Sequence, residues 1–391
     1  MRNKLATVKL SDVLFMLAMV MVLAFPTPSI FKALAIIAFF CYMMVIKVMH
    51  YRSIKNNLHI FASFLFLGYA YLSKYWALYP EAIAVQINNV LWSAMLSTAI
   101  STYVIYRNLS VKDIVDRLVP IALLFIVNVM INGSYREDRL SVGINENAFG
   151  RLCGSMVCFF FYRCKQVRWR NIFMDILIVV LVLFSCLSGS RTAVMILGVY
   201  VLAFLLFEES TENAAKMLGR ILMIAGLCVA VYLCLIHIEF LYSTIGYRVE
   251  SLFFAMLGMA EGDGSYVTRV KMMETAKEIF LEYPLFGIGM NNFAFATYYQ
   301  AYAHSNYYEL AACLGIVGLT IYYMPFLVYV KRAVSQWRKN LPEAIVPLTI
   351  LVAFLLNDIG GVSYFNMTTH TYVGLAIGLL LKSSKNVELR K

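Results

Sequence analysis

Charged residues are scarce in this sequence. Only 14% of its 391 residues are Asp, Glu, Lys or Arg, whereas 61% are hydrophobic. Soluble domains carry about a quarter charged residues, so this composition excludes a soluble globular protein. Acidic residues are the scarcer kind, with 22 Asp and Glu against 33 Lys and Arg. The basic residues cluster in short segments between apolar runs, as the positive-inside rule expects of membrane proteins, so we expect no nucleic-acid partner.

Motifs for metal binding, disulfides and soluble-enzyme chemistry are also missing. The eight cysteines lie in or at the ends of apolar segments, without C-x-x-C or His/Cys ligand spacing. They are therefore interpreted as small hydrophobic residues, not as a disulfide framework or a zinc site. The sequence has no phosphate-binding P-loop, no G-x-S-x-G and no H-E-x-x-H. We expect neither a metal nor a cofactor.

Long apolar runs are what the sequence contains in abundance. A run of roughly 17–25 apolar residues is long enough for one spanning helix. We count about twelve runs, at about Ser11–Phe25, Ile30–Met49, Leu58–Tyr75, a fourth ending near Tyr106, Leu118–Ile131, Ala148–Tyr162, Ile172–Leu187, Ala193–Phe207, a ninth ending near Ile238, Asn306–Lys331, Ala344–Leu356 and a twelfth ending at Lys382. The alternation of basic connections predicts that both termini are cytoplasmic. The predicted fold is all-α, a polytopic membrane protein with one integral membrane domain over residues 1–391.

One long segment, from about Glu239 to His304, does not span and is predicted to be a large loop on the outer side. Structureless connections beyond about 12–15 residues are uncommon unless they are functional. This segment contains a helical pattern of its own from Thr268 to Tyr283. Its apolar face is predicted to comprise Val270, Met273, Ala276 and Phe280. We expect an amphipathic helix that lies on the outer membrane surface or caps a cavity.

The loop from Asn132 to Asn147 breaks the charge pattern. It is predicted to be outside, yet it carries Arg136 and Arg139 beside acidic residues. External basic residues run against the positive-inside bias, so both arginines are candidates for substrate binding. A solvated loop of mixed charge is the alternative.

Basic residues gather on the predicted outer side. Arg191 begins the eighth helix, Arg248 and Arg269 lie in the long loop, and His304 precedes the tenth helix. Helix N-termini favour anions, and arginine binds phosphate oxygens in pairs. The pattern favours a site for an anion with several oxygens. The alternatives are an Arg191 that snorkels to lipid headgroups, a solvated Arg248 and an interfacial His304 bonded to a carbonyl.

The residues after His304 suggest how the tenth helix begins and packs. Asn306 is predicted to cap the helix, with Glu309 reaching back to the Asn306 amide in a capping box. Ala311 and Gly315 have the small-xxx-small spacing, and Gly318 adds a further small residue nearby. Such a face predicts the close approach of a neighbouring membrane helix.

Several of these segments together resemble one family. Ser188-Gly189-Ser190-Arg191-Thr192-Ala193 resembles the Ser-Arg signature of the O-antigen ligase/polymerase family of bacterial membrane glycosyltransferases. His304-Ser305, nine residues and Gly315-Ile316-Val317-Gly318 are similar to its ligase pattern H-[N/S/Q]-x9-G-x-x-G. Residues Pro284 to Phe293 resemble the loop ahead of the family's histidine, and Arg269 falls where the family has an arginine on a loop helix.

The resemblance covers roughly residues 188–318 and implies an activity. The expected enzyme is a metal-independent, inverting, GT-C-like glycosyltransferase at the periplasmic face of the bacterial inner membrane. Its donor would be an undecaprenyl-diphosphate-linked oligosaccharide. Arg191 and Arg269 would hold the diphosphate, and His304 would act as general base. The further substrate-binding candidates are Arg248, Arg139, Arg136, Ser190, Ser305, Asn306 and Glu309.

Three functions remain at this stage. The favoured one is an O-antigen polymerase, which moves the growing glycan onto the next lipid-linked repeat unit and would work with membrane lipid and a chain-length regulator protein. The second is a ligase that transfers finished glycan to the lipid A core. The third, of another class, is a flippase or transporter for the lipid-linked oligosaccharide, although the paired broken helices typical of such carriers are not evident in the sequence.

Overall fold

A computed structural model of the chain describes residues 9–136, 139–166, 172–207, 214–256, 264–339 and 342–388. Arg168, Arg170 and Asp263 lie outside these ranges. Nearly all of the described chain is helical, and the all-α polytopic fold is confirmed. The elements are α1 Leu10–Met19, α2 Ile30–Met49, α3 Asn57–Leu72, α4 Ala82–Arg107, α5 Val111–Asn132, β1 Ser134–Arg136, β2 Arg139–Ser141, α6 Glu146–Gln166, α7 Ile172–Leu187, α8 Arg191–Phe207, α9 Ala214–His237, α10 Glu239–Leu241, α11 Tyr247–Met256, α12 Gly264–Glu282, α13 Asn292–Ala296, α14 Asn306–Arg338, α15 Ile345–Gly360 and α16 Met367–Glu388.

Each predicted apolar run corresponds to a helix. Within the part of the chain that the structure describes, four helices are long and apolar enough to cross a membrane, namely α2, α4, α5 and α14. Shorter apolar helices are α1 with the π-helical turn that continues it to Ala24, α7, the first part of α8, and α15. α5 begins at Val111, well before the apolar run predicted from Leu118, because Ser110 and Asp113 form a capping box. Polar residues at a helix start extend it beyond its apolar part.

The closest helix packing occurs between α4 and α16. A Cβ on Gly374 would lie 2.7 Å from the carbonyl oxygen of Ser97, and one on Gly378 would lie 2.7 Å from Cβ of Val104. This spacing of two glycines four residues apart lets two helix backbones approach each other, as in many membrane proteins. α16 and α4 run parallel, so they connect the two ends of the bundle. We name these ends the His304 end and the Arg107 end.

α14 is interrupted at Gly315, which has a φ of 64°. The loop 284–289, which follows α12, fills the break with backbone hydrogen bonds. Ile288 and Gly289 donate to Ala312 and Cys313, and Ile316 donates to Pro284, at 3.0, 2.8 and 2.9 Å. The carbonyl of Leu314, which the break removes from the helix pattern, accepts a hydrogen bond from Tyr69 of α3 at 3.0 Å.

The predicted role of the small residues in α14 is therefore only partly correct. A Cβ on Gly315 would lie 2.3 Å from the carbonyl oxygen of Leu285, so a loop, not a neighbouring helix, approaches this glycine. Gly318 does face a helix, because its Cβ would lie 2.9 Å from the ring of Tyr69. A hydropathy pattern does not distinguish a loop inserted between helices from another helix.

The helix predicted in the long loop is present as α12, and it packs against α14. Its buried residues are Met272 and Ala276. The predicted face was wrong in detail, since Met273 and Phe280 are only half-buried. Contact with α14 favours the expectation that this helix covers the bundle.

Candidate anion-binding site

The turn between α7 and α8 fixes the position of Arg191. Ser188 and Ser190 are fully buried, and Gly189 has a φ of 62°, which a residue with a side chain adopts only under strain. The hydroxyl of Ser190 accepts a hydrogen bond from the amide of Ala193 at 3.3 Å and so caps α8. Arg191 is consequently the first residue of α8, with its side chain at the helix N-terminus.

Arg139 holds this turn from the hairpin β1–β2. Its Nε donates to the carbonyl of Ser188 at 2.9 Å and its Nη2 donates to Oδ1 of Asn147 at 3.0 Å. Its Nη1 also lies 3.8 Å from a carboxylate oxygen of Glu146. Arg139 was predicted to bind substrate; these contacts give it the task of fixing the turn before Arg191. Arg136 lies opposite Arg139 in the hairpin pairing.

Arg248 contributes its main chain to the neighbourhood of Arg191. The carbonyl of Arg248, in the first turn of α11, accepts a hydrogen bond from Nη1 of Arg191 at 3.4 Å. Both arginine side chains are half-buried. The structure thus brings together two of the arginines predicted from separate parts of the chain.

His304 has an unusual backbone conformation. Its φ is 56°, in the left-handed region that non-glycine residues rarely occupy outside constrained sites. The half-buried ring packs against Tyr302, with ring centroids 4.6 Å apart. Burial and the nearby charge of Arg269 lower the pKa of His304 to about 4. The imidazole is therefore neutral near pH 7 and has a nitrogen that can accept a proton.

Glu309 and Ser305 hold the chain around His304. The fully buried carboxylate of Glu309 accepts a hydrogen bond from the amide of Ala303 at 2.8 Å, and Ser305 donates to the carbonyl of Asp358 at 3.1 Å. The predicted capping box was wrong, because Ser305 occupies the N-cap position and Glu309 reaches Ala303 instead of the Asn306 amide. These contacts fix the residues on both sides of His304.

Asn306 connects three segments at this end of the bundle. Its Nδ2 donates to the hydroxyl of Tyr323 at 2.7 Å and to Asp358 at 3.1 Å. Its Oδ1 accepts hydrogen bonds from the amides of Ser363 and Tyr364 at 3.0 and 3.2 Å. Ser190, Ser305, Asn306 and Glu309 were predicted to bind substrate, and all four are buried with protein partners. Their contacts position Arg191 and His304.

The end of α15 connects the two helix N-termini. The amide of Asn306, at the start of α14, donates to the carbonyl of Gly361 at 2.9 Å. On the other side, a Cβ on Gly360 would lie 3.9 Å from the hydroxyl of Thr192 in the first turn of α8. Two N-termini therefore converge on one glycine pair. Arg191 lies at one N-terminus, and His304, influenced by Arg269, lies at the other.

Sequence reasoning missed how much of this site depends on α15. Asp358 is fully buried and accepts hydrogen bonds from Tyr323 at 2.7 Å, Asn306 at 3.1 Å and Asn357 at 3.3 Å. The available signal was a carboxylate two residues before Gly360-Gly361, within an otherwise apolar run. The arrangement as a whole can bind an anion with several oxygens beside a neutral imidazole.

Comparison with known proteins adds an independent observation. Residues 176–323 match the family model described as O-antigen ligase. The matched range begins in α7 and ends within α14, so it includes Arg191, Arg269 and His304. No match was found among the curated proteins.

Proposed function

Residues 176–323 place this membrane protein in the O-antigen ligase/polymerase family, and from this premise we propose that it is an O-antigen polymerase. Family members are membrane glycosyltransferase-like enzymes. In the proposed reaction, a glycan linked to undecaprenyl diphosphate is transferred to a sugar hydroxyl of a second lipid-linked repeat unit. The proposed location of the site is the periplasmic face of the inner membrane. The family match gives no support to a transporter.

The observation that carries the proposal is the convergence, at the end of α15, of the N-termini of α8, which begins at Arg191, and α14, which begins two residues after His304. The bond that breaks joins the anomeric carbon of the donor glycan to the diphosphate oxygen, and the bond that forms joins that carbon to the acceptor oxygen. Negative charge grows on the diphosphate as it leaves. Guanidinium groups and a helix N-terminus stabilise such charge, because they are aimed at its position before the reaction begins.

His304 is suited to accept the proton that the acceptor hydroxyl loses. Its lowered pKa keeps the ring neutral near pH 7, and a positioned imidazole is the most common general base in enzymes. Arg269 has two tasks in this scheme. It contributes positive charge for the diphosphate, and it disfavours premature protonation of His304.

A ligase is the second candidate, because specific observations favour it. The spacing from His304 to Gly315 and Gly318 resembles the ligase pattern, and the matching family model is described as O-antigen ligase. Two sequence motifs favour the polymerase, namely Gly189-Ser190-Arg191-Thr192-Ala193 and the segment 284–293. The two reactions share the donor and differ only in the acceptor.

Deletion of the gene tests the choice between these functions. Loss of a polymerase leaves single repeat units joined to the lipid A core, seen as one short band on a lipopolysaccharide gel. Loss of a ligase leaves bare core, and long polyprenyl-linked polymer accumulates. The second result would overturn the polymerase proposal, and unchanged lipopolysaccharide would overturn both candidates. Complementation with the intact gene is the control.

A further inference from the structure

A further arginine, Arg151, lies at the His304 end of the bundle, within α6. Arg151 is five residues past Glu146, where α6 begins, so it lies about 7 Å along the helix. Its Nη1 lies 3.6 Å from the position that a Cβ on Gly361 would take. Arg151 is therefore adjacent to the glycine pair on which the N-termini of α8 and α14 converge.

The guanidinium of Arg151 is incompletely satisfied. Its Nε is sealed from solvent and has no hydrogen-bond partner among the described residues. Buried polar groups are nearly always hydrogen-bonded, and a buried charge is especially unfavourable without a counter-charge. Ionisable residues at membrane depth are functional by default. An explanation for Arg151 is needed.

Asp358 is a nearby carboxylate, but it forms no ion pair with Arg151. The two side chains interact electrostatically at longer range. Oδ2 of Asp358 accepts from Tyr323 and Asn306, and Oδ1 accepts from Asn357. Both carboxylate oxygens are thus occupied by neutral donors. Asp358 balances part of the charge of Arg151 but does not bind its guanidinium.

A small cavity of about 30 Å³ adjoins Arg151 and has room for a water molecule. Oδ1 of Asn357, which also lines the cavity, has no hydrogen-bond partner among the described residues. A water that accepts from Nε of Arg151 and donates to Asn357 would satisfy both atoms. Such a water is neutral, so it adds no counter-charge to the guanidinium beyond the partial balance from Asp358.

Arg151 lies near the proposed reaction site. Tyr302 lies close enough to interact electrostatically with Arg151, and the Tyr302 ring packs against His304. Arg151 and the imidazole of His304 thus share Tyr302 as a neighbour. If the lipid chain of an anionic substrate lies between the helices, the phosphate groups of that substrate would lie next to Arg151.

We propose that Arg151 is a further phosphate-binding residue, which contacts the diphosphate of a polyprenyl-linked substrate together with Arg191 and Arg269. This assignment rests on the proposed function. It predicts that the site discriminates a diphosphate from a monophosphate, because an additional guanidinium is matched to the additional charge and oxygens.

Binding measurements on the purified full-length protein in detergent micelles test this assignment. The probes are undecaprenyl diphosphate, undecaprenyl monophosphate and undecaprenol. Arg151→Gln should weaken diphosphate binding about 10–100-fold, the equivalent of one hydrogen bond to a charged group, and should reduce the preference over monophosphate. Arg151→Lys should fall between, because it keeps the charge without the planar fork.

Arg107→Lys is the matched control. Arg107 is an arginine at a helix end that is paired with Asp12 at 2.8 Å, at the other end of the bundle. Its substitution should leave the Kd for undecaprenyl diphosphate unchanged. The melting temperature of every variant without lipid is recorded. If Arg151→Gln does not fold, the comparison of Arg151→Lys with Arg107→Lys decides the question.

A merely structural Arg151 would give a different pattern. If its only task is to balance Asp358, then adding Asp358→Asn to Arg151→Gln should restore diphosphate binding, and this result would overturn the proposal. Competition by phosphatidylglycerol as strong as by undecaprenyl diphosphate would also overturn it, since the site would then be a general headgroup site.

The failure of this assignment is distinguishable from failure of the proposed function. If the wild type binds the diphosphate and Arg191→Ala loses it while Arg151→Gln retains it, only the assignment of Arg151 is overturned. If the wild type binds undecaprenol as tightly as the diphosphate, the proposed function is overturned as well.

Discussion

The two ends of the α4–α16 pair hold arginines in contrasting surroundings. At the Arg107 end, Asp12 accepts hydrogen bonds from Arg107 at 2.8 Å, from Arg117 at 3.3 Å and from the hydroxyl of Tyr103 at 2.5 Å. At the His304 end, the buried carboxylate of Asp358 is satisfied by neutral groups. The Arg107 end therefore pairs two arginines with one carboxylate, whereas the His304 end pairs Arg139 with Glu146 but keeps Arg151 and Asp358 apart.

This difference indicates the task of each arginine. A carboxylate shared by two guanidinium groups neutralises their charge within the protein, and such a network stabilises the helix ends that it connects. At the His304 end, Nε of Arg151 has no hydrogen-bond partner among the described residues. Positive charge that the fold does not neutralise is available to an anionic substrate. Arginine count alone does not reveal this.

The orientation of the two ends in the membrane gives an all-or-none prediction. In a cysteine-free background, a cysteine at Ser265 should react with an impermeant maleimide in intact spheroplasts. A cysteine at Lys55, near the Arg107 end, should react only after the membrane is opened. Both positions are exposed, so accessibility does not limit the labelling. The reverse pattern would place the site on the cytoplasmic side and contradict the proposed reaction.

Arg191→Ala should cause the largest combined loss, because it affects both turnover and donor binding. Removing one group that stabilises transition-state charge lowers kcat by about 10²–10³-fold, and donor binding should weaken too. Arg191→Lys should recover little, because an ammonium cannot make the planar paired contacts. Glycan transfer by the purified protein is measured per folded molecule. Arg107→Ala is the comparison, and it should lower thermal stability while the activity of the folded fraction persists. Equal losses of activity in Arg191→Ala and Arg107→Ala would show that the two ends do not differ in function.

His304→Ala should lower kcat by about 10²–10⁴-fold, the usual contribution of a general base. Donor binding should be largely retained, because the arginines carry the anion. The measurement is kcat together with the Kd for undecaprenyl diphosphate. A parallel loss of binding and turnover would make His304 a phosphate ligand and leave the general base unidentified.

The pH dependence of activity tests the role of His304. Its pKa is lowered from 6.5 to about 4 by burial and by Arg269, and only the neutral ring can act as base. Activity should therefore stay constant as pH falls from 8 towards 5 and decline only as pH approaches 4. An acid limb centred near 6.5 would show a solvated imidazole and contradict the packing seen here. Unfolding at low pH is checked separately by fluorescence.

Gly315→Ala should have the smallest effect, on stability. The substitution forces a Cβ to within 2.3 Å of the Leu285 carbonyl oxygen at a φ of 64°. Overpacking of this kind costs about 1–3 kcal/mol, measurable as a lower melting temperature. Gly68→Ala is the control, since no atom lies within 4 Å of its Cβ position. It should be neutral or slightly stabilising, and an equal loss in both variants would exclude the loop contact as the cause.

The sequence predicted helix existence better than helix detail. Apolar runs located the spanning helices because burial in lipid requires them to be long and apolar. The start of α5 and the buried face of α12 were missed in part, since capping and tertiary contacts decide such details. Tertiary contacts also decided the role of Glu309. Its spacing of three residues from Asn306 predicted a capping box, but the carboxylate instead accepts a hydrogen bond from Ala303 in the loop before the helix.

The residues of the candidate site also divide into those that the sequence indicated and those that only the structure revealed. Arg191, Arg269 and His304 were identified by residue type, position relative to helix ends and resemblance to one family. Arg139 was singled out because its charge runs against the positive-inside bias, and the structure gives its contacts to the turn before Arg191. Arg151 lay within an apolar run and Asp358 just after one, and nothing in their local sequence indicated that α6 and α15 bring them near each other.

The sequence by itself determined that this chain is an all-α membrane protein with basic residues at particular helix ends, because hydropathy and charge act locally along the chain. Only the tertiary structure decided which of those residues meet. The break at Gly315, the glycine pair at the end of α15 and the left-handed His304 arise from contacts between distant segments. Such contacts form only where distant backbone segments come close together in the folded protein, and short sequence patterns do not predict which segments do so.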